Sequence, residues 1–372
     1  MTPVGESGNK MNKTATILRK CYKNKRVLIT GHTGFKGSWL SLWLKELGAE
    51  VIGYALDPYT QRDNFVLSHL SRSMIDIRGD IRDHGKLQKV FKEYSPEFVF
   101  HLAAQPLVRE GYQNPKETYD VNIGGTVNVL ESCRASKSVR VIINVTSDKC
   151  YENKEWIWGY RETDPLGGYD PYSSSKACSE IITAAWRSSF FNPKNCRSHG
   201  KSLSSVRAGN VIGGGDWGKD RIIPDCIRAL EKKKPIEIRN PHATRPWQYV
   251  LEPLGGYLLL GAYMAAAPQK YSGAWNFGPE TSSVISVQKL VELVIHHWGE
   301  GKWLHIREKS KPHEAGLLSL DTHKAHFELG WKSCLEIEEA VLNTIVWYKA
   351  AHSDGNIPEI CNNQIQEYMK KI

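Results

Sequence analysis

Residues 26–37 read RVLITGHTGFKG and decide the fold class of this chain. The first five are largely apolar and β-branched, which predicts a buried strand. The glycines after them have the spacing G-x-x-G-x-x-G and lead into a helical pattern. Such a turn lets the backbone approach a pyrophosphate closely and directs helix N-terminal N–H groups at its phosphates. The segment predicts a dinucleotide site built from Gly31, Thr33, Gly34, Phe35, Lys36 and Gly37.

Apolar strand patterns alternate with helical patterns over the first half of the chain. Strands are predicted at residues 26–30, 50–56, 74–78, 98–103, 140–146 and 204–211, and helices at 38–47, 83–94, 115–136 and 172–190. Strands joined by helical crossovers form a parallel sheet with helices on both faces. We therefore predict an α/β fold, with a doubly wound parallel Rossmann sheet in an NAD-binding domain at residues 25–205.

The pattern becomes irregular after residue 213. Helices are predicted at residues 224–233, 250–266, 287–298 and 336–350, with a short strand at 275–277. We interpret residues 206–372 as a smaller C-terminal substrate-binding lobe that is partly interlaced with the first domain.

Composition excludes several classes of protein. The 372 residues are 41% hydrophobic and 24% charged, which supports a large core and argues against disorder. Residues 1–25 are polar and basic without the apolar core of a signal peptide, and the longest nearly apolar stretch, 257–267, is too short to span a membrane. The eight cysteines form no Cys-x-x-Cys pair. We expect a cytoplasmic protein with reduced thiols and no metal site.

The net charge of +9 favours anionic partners. The basic residues are dispersed, and no nucleic-acid-binding motif accompanies them. The histidine pairs His296–His297 and His313–Glu314 belong to no metal-ligand motif. We therefore expect a small anionic ligand, and neither a nucleic acid nor a membrane as partner.

Residues after the later strands complete the predicted cofactor site. Asp57, twenty residues after Gly37, follows the second strand, where a carboxylate accepts hydrogen bonds from an adenosine ribose. Pro58 and Tyr59 follow it, so no adjacent arginine would bind a 2'-phosphate, which favours NAD over NADP. The third and fourth strands end at the residues expected to line the adenine and nicotinamide-ribose side: Asp80, Ile81, Leu102, Ala103 and Ala104.

A tyrosine and a lysine on the fourth predicted helix suggest redox chemistry. Tyr172 and Lys176 are four residues apart and therefore lie on one helical face. An ammonium beside a phenol lowers the phenol pKa from about 10 toward neutrality. The phenolate can then take a hydroxyl proton while a hydride leaves the adjacent carbon.

Together, the glycine turn and the Y-x-x-x-K pattern resemble the extended short-chain dehydrogenase/reductases that act on sugar nucleotides. The resemblance runs from about residue 25 to 350 and includes residues 31–40, 103–109, 207–217 and 245–250. Ser147-Asp148-Lys149 stands where nucleoside-diphosphate-hexose 4,6-dehydratases have Thr-Asp-Glu. This triplet differs from that of the dTDP-glucose enzymes and is similar to that of the enzymes acting on CDP-glucose.

The resemblance implies a role for each catalytic candidate. Tyr172 would take the C4 hydroxyl proton of CDP-glucose as NAD takes the hydride, with Ser147 bonded to the same oxygen. Asp148 would be the acid for the C6 hydroxyl. Lys149 would replace the glutamate base at C5, which requires a neutral amine favoured by burial or by the nearby charge of Lys176 or the oxidised nicotinamide. Alternatively, a protonated Lys149 stabilises the enolate while water or Asp148 moves the protons.

The resemblance also implies a set of substrate-binding residues: Gln105, Arg109, Asn210, Arg239, Arg245 and Asn276. An arginine can bind two oxygens of a diphosphate at once. Asn122 would either support the site structurally or take part directly in catalysis, and Trp217 and Trp247 would contact substrate or fill the core. The helices at 115–136 and 172–190 would pair two subunits into a homodimer, or contribute to a homotetramer.

Two other readings remain open at this stage. One is a sugar-nucleotide epimerase or reductase of the same superfamily, which would not need the Asp148-Lys149 pair. The other is a non-catalytic NAD-binding scaffold, which would not need Tyr172 or Lys176. The dehydratase reading would place the protein early in the synthesis of the deoxy sugars of bacterial surface polysaccharides such as lipopolysaccharide O-antigen.

Overall fold

The computed structural model describes residues 13–306 and 317–372. His313–Glu314 therefore lies outside the described residues. The strands are β1 (Arg26–Thr30), β2 (Glu50–Ala55), β3 (Ile75–Arg78), β4 (Phe98–His101), β5 (Val141–Val145), β6 (Ser202–Ala208), β7 (Asn210–Ile212), β8 (Ile236–Ile238), β9 (Thr244–Tyr249), β10 (Ala274–Phe277), β11 (Val284–Ser286) and β12 (Trp303–His305).

The helices follow the strands closely along the chain. They are α1 (Lys13–Tyr22), α2 (Phe35–Glu46), α3 (Asn64–Leu67), α4 (His84–Tyr94), α5 (Val108–Gln113), α6 (Pro115–Tyr119), α7 (Thr126–Ala135), α8 (Pro171–Ser189), α9 (Cys196–His199), α10 (Ile222–Glu231), α11 (Leu251–Ala266), α12 (Pro268–Tyr271), α13 (Val287–Trp298), α14 (Ile337–His352) and α15 (Ile357–Lys371). None of these helices is long and apolar enough to cross a bilayer.

A seven-stranded parallel sheet organises the fold, in the order β10-β6-β5-β4-β1-β2-β3. Successive residues of a strand point to opposite faces. Accordingly, Val27 and Ile29 of β1 pack into one core cluster and Leu28 into another. Because each face of the sheet is covered by helices and buried, the predicted doubly wound Rossmann sheet is confirmed.

The carboxyl ends of β1 and β4 form the crevice of the sheet. The chain order reverses between these neighbours, since β1 pairs with β2 on one side and with β4 on the other. Ligands of open parallel sheets bind at such a switch point. The glycine turn after β1 and residues 102–105 after β4 are therefore placed together.

The predicted strand at residues 204–211 is in fact two strands. β6 belongs to the central sheet, whereas β7 pairs with β9 in a separate three-stranded sheet. Gly209 separates them, and a Cβ at this position would lie 2.9 Å from Oδ2 of Asp148. The break therefore lies where the backbone passes the side chain of the predicted acid.

The predicted helix at residues 115–136 contains an irregular turn. α6 continues through a π-helical segment, Asp120–Gly125, into α7. Single π turns inside helices are frequent at functional sites. This turn contains Asn122, which the resemblance had placed near the site.

Helix α1 was not predicted by the sequence analysis. Ala15, Leu18 and Tyr22 are buried, and the Tyr22 hydroxyl donates a 2.7 Å hydrogen bond to the carbonyl oxygen of Leu258 in α11. The N-terminal segment from residue 13 is therefore part of the core, because one apolar face of a basic helix is enough to pack it.

The C-terminal half builds a smaller set of elements around β7, β9 and β11, with β8 paired to β12. It also returns β10 to the central sheet beside β6. The division at residue 205 stays a prediction, and β6 runs across it.

Candidate active site

The glycine turn is shaped by close backbone contacts. Gly31 has φ +79°, and a Cβ there would lie 2.7 Å from the backbone nitrogen of Ala103. A Cβ at Gly37 would lie 2.1 Å from the carbonyl oxygen of Gly31. Helix α2 starts at Phe35, and its N-cap, Gly34, makes no side-chain capping hydrogen bond. The first-turn N–H groups are thus left for an anion, which fits the pyrophosphate of a dinucleotide.

Asp57 lies at the rim of this turn with an exposed carboxylate. Its Oδ1 is 3.4 Å from Nε of Arg78, which also pairs with Asp76 at 2.9 Å. No arginine is adjacent to Asp57 in the sequence. The cation instead comes from β3, whose end is in register with the end of β2. Arg78 is therefore a charged residue of the candidate cofactor site that sequence reasoning missed.

The residues after β3 differ from their predicted role. The Asp80 carboxylate pairs with Arg82 at 2.6 Å, and its pKa is lowered chiefly by hydrogen bonding to that arginine. Ile81 is buried in the core, where its side chain closely approaches Gly125. Its side chain therefore packs in the core, and its place in the cofactor site stays a prediction.

Helix α8 presents the tyrosine and lysine. Asp170 caps its start by accepting from the Ser173 nitrogen at 3.0 Å, so Tyr172 and Lys176 lie in the first two turns. Burial raises the pKa of Tyr172 to about 12, while a hydrogen bond with Ser147 lowers it. The predicted fall toward neutrality is therefore wrong for the protein alone, because burial outweighs the neighbouring charges.

The Ser147-Asp148-Lys149 turn lies beside Tyr172. Ser147 Oγ donates to Asp148 Oδ1 at 2.9 Å and accepts from the Lys149 nitrogen at 3.2 Å. Burial raises the pKa of Asp148, although the charge of Lys149 acts in the opposite direction. A raised pKa favours the protonated carboxyl that a general acid needs. Lys149 is only partly buried, in contrast to Asp148.

Two further cations act on this site. Burial lowers the pKa of Lys36 to about 8, and the charges of Arg221 and Asp148 also act on it. Arg221 binds both oxygens of Asp216, at 2.9 and 2.8 Å, and its charge lowers the pKa of Tyr172. Lys36 was predicted only as a cofactor ligand, and Arg221 was not predicted, because no local pattern relates either residue to Asp148 or Tyr172.

Two predicted substrate arginines meet at one carboxylate. Nε of Arg109 and Nη1 of Arg239 lie 3.7 and 3.5 Å from Oδ1 of Asp220, and all three side chains are partly exposed. We call this group the Asp220 cluster. It brings together residues from α5 and from the segment after β8.

Arg245 and Asn210 lie on the three-stranded sheet. Asn210 of β7 is in register with Trp247 of β9. Arg245, two residues before Trp247, has its side chain on the same face of β9. Its Nη1 donates to the carbonyl oxygen of Thr244 at 2.8 Å. Trp247 and Trp217 are both buried, so these indoles belong to the core.

Two predicted substrate residues are used structurally. Gln105 Nε2 donates to Thr118 at 2.8 Å, and Asn122 Oδ1 accepts from the Gln105 nitrogen at 2.8 Å. Asn276 is fully buried, and its amide binds Tyr151, Tyr160 and Asp321. The placement of the Gln105 and Asn276 side chains therefore does not support substrate contact.

Asn122 connects two parts of the candidate site. Besides accepting from Gln105, it donates through Nδ2 to Ser175 Oγ of α8 at 2.8 Å. The π-helical turn thus ties the segment after β4 to the helix that carries Tyr172 and Lys176. Within the described ranges, no cluster of three or more histidine, cysteine or acidic side chains is arranged to hold a metal ion.

The family model for GDP-mannose 4,6 dehydratase matches residues 28–344, and the chain belongs to this family of extended short-chain dehydrogenase/reductases. CDP-glucose 4,6-dehydratase of Salmonella typhimurium is 48% identical over 354 residues, covering 95% of this chain and 98% of that protein. A probable dTDP-glucose 4,6-dehydratase of Sinorhizobium fredii is 26% identical, covering 87% of this chain and 92% of its own.

Solved structures share the fold. The epimerase Mth375 of Methanothermobacter thermautotrophicus has a TM-score of 0.78 at 22% identity, covering 94% of this chain and 98% of its own. The dTDP-glucose 4,6-dehydratase of Bacillus anthracis in complex with NAD has a TM-score of 0.71 at 19% identity, covering 90% and 99%.

Proposed function

We propose that this protein is an NAD-dependent CDP-glucose 4,6-dehydratase. The observation that carries the proposal is the contact between Tyr172 and the Ser147-Asp148 pair, because it places a candidate acid beside the tyrosine. An epimerase or reductase that only moves a hydride has no use for that acid. The 48% identity to the Salmonella enzyme supports the same reaction.

The N-terminus of α2 would hold the NAD pyrophosphate, and the exposed Asp57 carboxylate would accept from the ribose. A bound NAD would supply hydride chemistry at this site, as the acceptor for oxidation at C4 and the donor for reduction at C6. The glycine turn and the Asp220 cluster are far apart in the sequence. Helix α5 begins shortly after the end of β4 and carries Arg109, so it connects the two regions.

Each proton transfer has a group in the site. Tyr172 takes the proton of the C4 hydroxyl, and Ser147 hydrogen-bonds the same oxygen. The C4 ketone acidifies the hydrogen at C5. Asp148 then protonates the C6 hydroxyl, which leaves as water, while the C5 proton passes to a base. The hydride returns to C6 and the base returns a proton to C5, which gives CDP-4-dehydro-6-deoxyglucose and one released water for each substrate.

We assign the C5 proton to Lys149 as base, with enolate stabilisation by its ammonium as the alternative. Its place beside Asp148 supports either role, because both require a nitrogen near C5 and C6. Lys149 is partly exposed, in contrast to the buried Asp148.

Arg245, Asn210 and the arginines of the Asp220 cluster would bind the diphosphate. We further propose a homodimer formed through the π-containing helix and α8. In the single chain, the apolar side chains of Ile181 on α8 and Phe190 directly after it are exposed. A tetramer would need an additional interface. We also propose a cytoplasmic location, where the eight cysteines would be reduced thiols.

Mass spectrometry of the purified protein with CDP-glucose tests this function. Parallel reactions contain dTDP-glucose, UDP-glucose or GDP-mannose. We expect loss of one water from CDP-glucose alone. Loss of water from another sugar nucleotide would retain the mechanism and overturn the substrate, and no loss from any would overturn the dehydratase proposal.

A further inference from the structure

A buried ion pair lies beneath the catalytic helix and has no part in the mechanism above. Glu180 Oε2 is 2.8 Å from Nη2 of Arg207, and the two side chains are 2% and 3% exposed. Glu180 is one turn after Lys176 on α8, so the two side chains lie on the same face. Arg207 comes from β6, the strand next to β5.

The Glu180 carboxylate accepts hydrogen bonds from three side chains. Thr146 donates to Oε1 from the segment just after β5, and Ser205 donates to Oε2 at 2.6 Å. Arg207 supplies the third. Burying two charges is costly unless their hydrogen-bonding atoms are satisfied, and here the carboxylate is well satisfied. The Glu180 carboxylate is therefore held in one place, one helical turn after Lys176.

Three consecutive residues connect β5 to α8. Asn144 donates to Thr183 at 2.7 Å, and Lys176 Nζ donates to the Val145 carbonyl oxygen at 3.3 Å. Thr146 donates to Glu180. The next residues along the chain are Ser147, Asp148 and Lys149, so the contact with Glu180 is the last one before the catalytic turn begins.

We propose that Glu180 is a positioning residue that keeps Lys176 as an ammonium and fixes the catalytic turn against α8. The proposal rests on the proposed function only in taking Lys176 as part of the site. Glu180 itself touches neither Tyr172 nor the predicted position of substrate, and it acts through Lys176 and Thr146.

The charges around Lys176 agree with this role. Burial lowers the pKa of Lys176 to about 8, and Glu180 is the strongest influence in the opposite direction. Lys36 of α2 adds a second positive charge. His101 of β4 is neutral at working pH because burial lowers its pKa to about 3, and the Cys150 thiol is neutral because burial raises its pKa. Arg207 lies beyond the Glu180 carboxylate.

The experiment compares Glu180→Gln with Glu162→Gln in the full-length protein. Glu162 is the control, since it is a partly buried glutamate beside the same arginine: its backbone carbonyl oxygen accepts from Arg207 at 3.2 Å and its carboxylate accepts from the Asn276 nitrogen at 2.9 Å. Competitive amine labelling across pH, read at Lys176 by peptide mass spectrometry, gives the pH at which this lysine loses its proton. CDP-glucose turnover is measured across the same range.

We expect Glu180→Gln to move the Lys176 transition down by about one pH unit or more, because an opposite charge at close range has been removed. The alkaline fall of turnover should move by the same amount. Glu162→Gln should leave both unchanged. An unchanged transition in Glu180→Gln, or equal shifts in both variants, would overturn the proposal.

A second variant covers the case in which Glu180→Gln does not fold. Glu180→Gln with Arg207→Gln removes both charges and leaves no buried ion unpaired. We expect the Lys176 transition to remain below that of the wild type, whereas titration like the wild type would contradict the proposal. Labelling needs no substrate, so it still reads Lys176 if the wild type fails to dehydrate CDP-glucose, a result that would overturn only the proposed function.

Discussion

The Glu180–Arg207 pair and the Asp220 cluster use charge in different ways. The first is a buried contact at 2.8 Å with its carboxylate saturated by hydrogen bonds. In the second, two arginines share one partly exposed carboxylate at 3.5 and 3.7 Å. The two groups therefore differ in burial and in how fully the carboxylate is hydrogen-bonded. We propose a positioning role for the buried pair and a substrate-binding role for the Asp220 cluster.

The catalytic groups that the buried pair supports should show the largest effect. Tyr172→Phe removes the proton acceptor for C4 oxidation and should lower turnover by about 10²–10⁴-fold. The fold should survive, because the buried ring is retained. Stopped-flow absorbance should detect no NADH formation with CDP-glucose. Tyr169→Phe, at an exposed tyrosine three residues earlier, should behave like the wild type; normal turnover in Tyr172→Phe would remove Tyr172 from the mechanism.

Stability measurements test the comparison directly. Arg207→Met leaves the Glu180 carboxylate buried without its cation and should lower the free energy of unfolding by about 3–5 kcal/mol. Arg239→Met, in the Asp220 cluster, should cost at most about 1 kcal/mol. Urea denaturation followed by circular dichroism measures both. Equal costs would mean that the two pairs do not differ as described.

The same pair makes a signed contribution to acid stability. Burial alone would raise the pKa of Glu180, but Arg207 and the hydrogen bonds hold it below its usual value. Stability from this carboxylate is therefore present above its unfolded pKa and lost as pH falls through the folded pKa. Removal of the cation in Arg207→Met should raise the pKa of the folded Glu180 carboxyl relative to the wild type. The variant should therefore lose less stability than the wild type when the pH is lowered.

Lys149 is partly buried, and its replacement should separate C4 oxidation from elimination. Lys149→Ala should leave C4 oxidation possible and slow loss of water by about 10²-fold or more, because the base or enolate partner is gone. NADH and a 4-keto hexose should accumulate in stopped-flow and quenched samples. Normal product without trapped NADH would contradict a role for Lys149 in elimination.

The smallest effect is expected at the exposed rim of the cofactor site. Asp57→Asn removes a negative charge that opposes a 2'-phosphate. It also removes one of the two carboxylates that pair with Arg78. Affinity for NADP relative to NAD should rise by about 5-fold or less, the factor that corresponds to about 1 kcal/mol. Fluorescence titration of the cofactor-free protein measures the ratio. A fall in relative NADP affinity would show that Arg78 does not face the ribose.

The central fold could be predicted because its signals are local. The glycine turn lies within seven residues, and each strand of the sheet carries its own apolar run. Helix α13 was predicted at its observed ends, since Ser286 caps its start and Gly299 ends it in the left-handed conformation. The three-residue strands β8, β11 and β12 were missed because such short segments have no clear period.

The electrostatics of the candidate site could not be predicted in the same way. Arg78 reaches Asp57 from the neighbouring strand, and Lys36 acts on Asp148 from the glycine turn. The expected fall in the Tyr172 pKa was wrong because its burial was not known. Sequence spacing identifies which residues share a helix face, but it does not give the solvent exposure that decides how their charges balance.

Gly209 sets the room available to the side chain of Asp148. The space that its missing side chain leaves is taken by the Asp148 carboxyl, at the point where the chain leaves the central sheet. A Cβ at this position would lie 2.9 Å from Oδ2 of Asp148, closer than Cβ contacts in proteins, so the residue type at 209 and the conformation of Asp148 constrain each other.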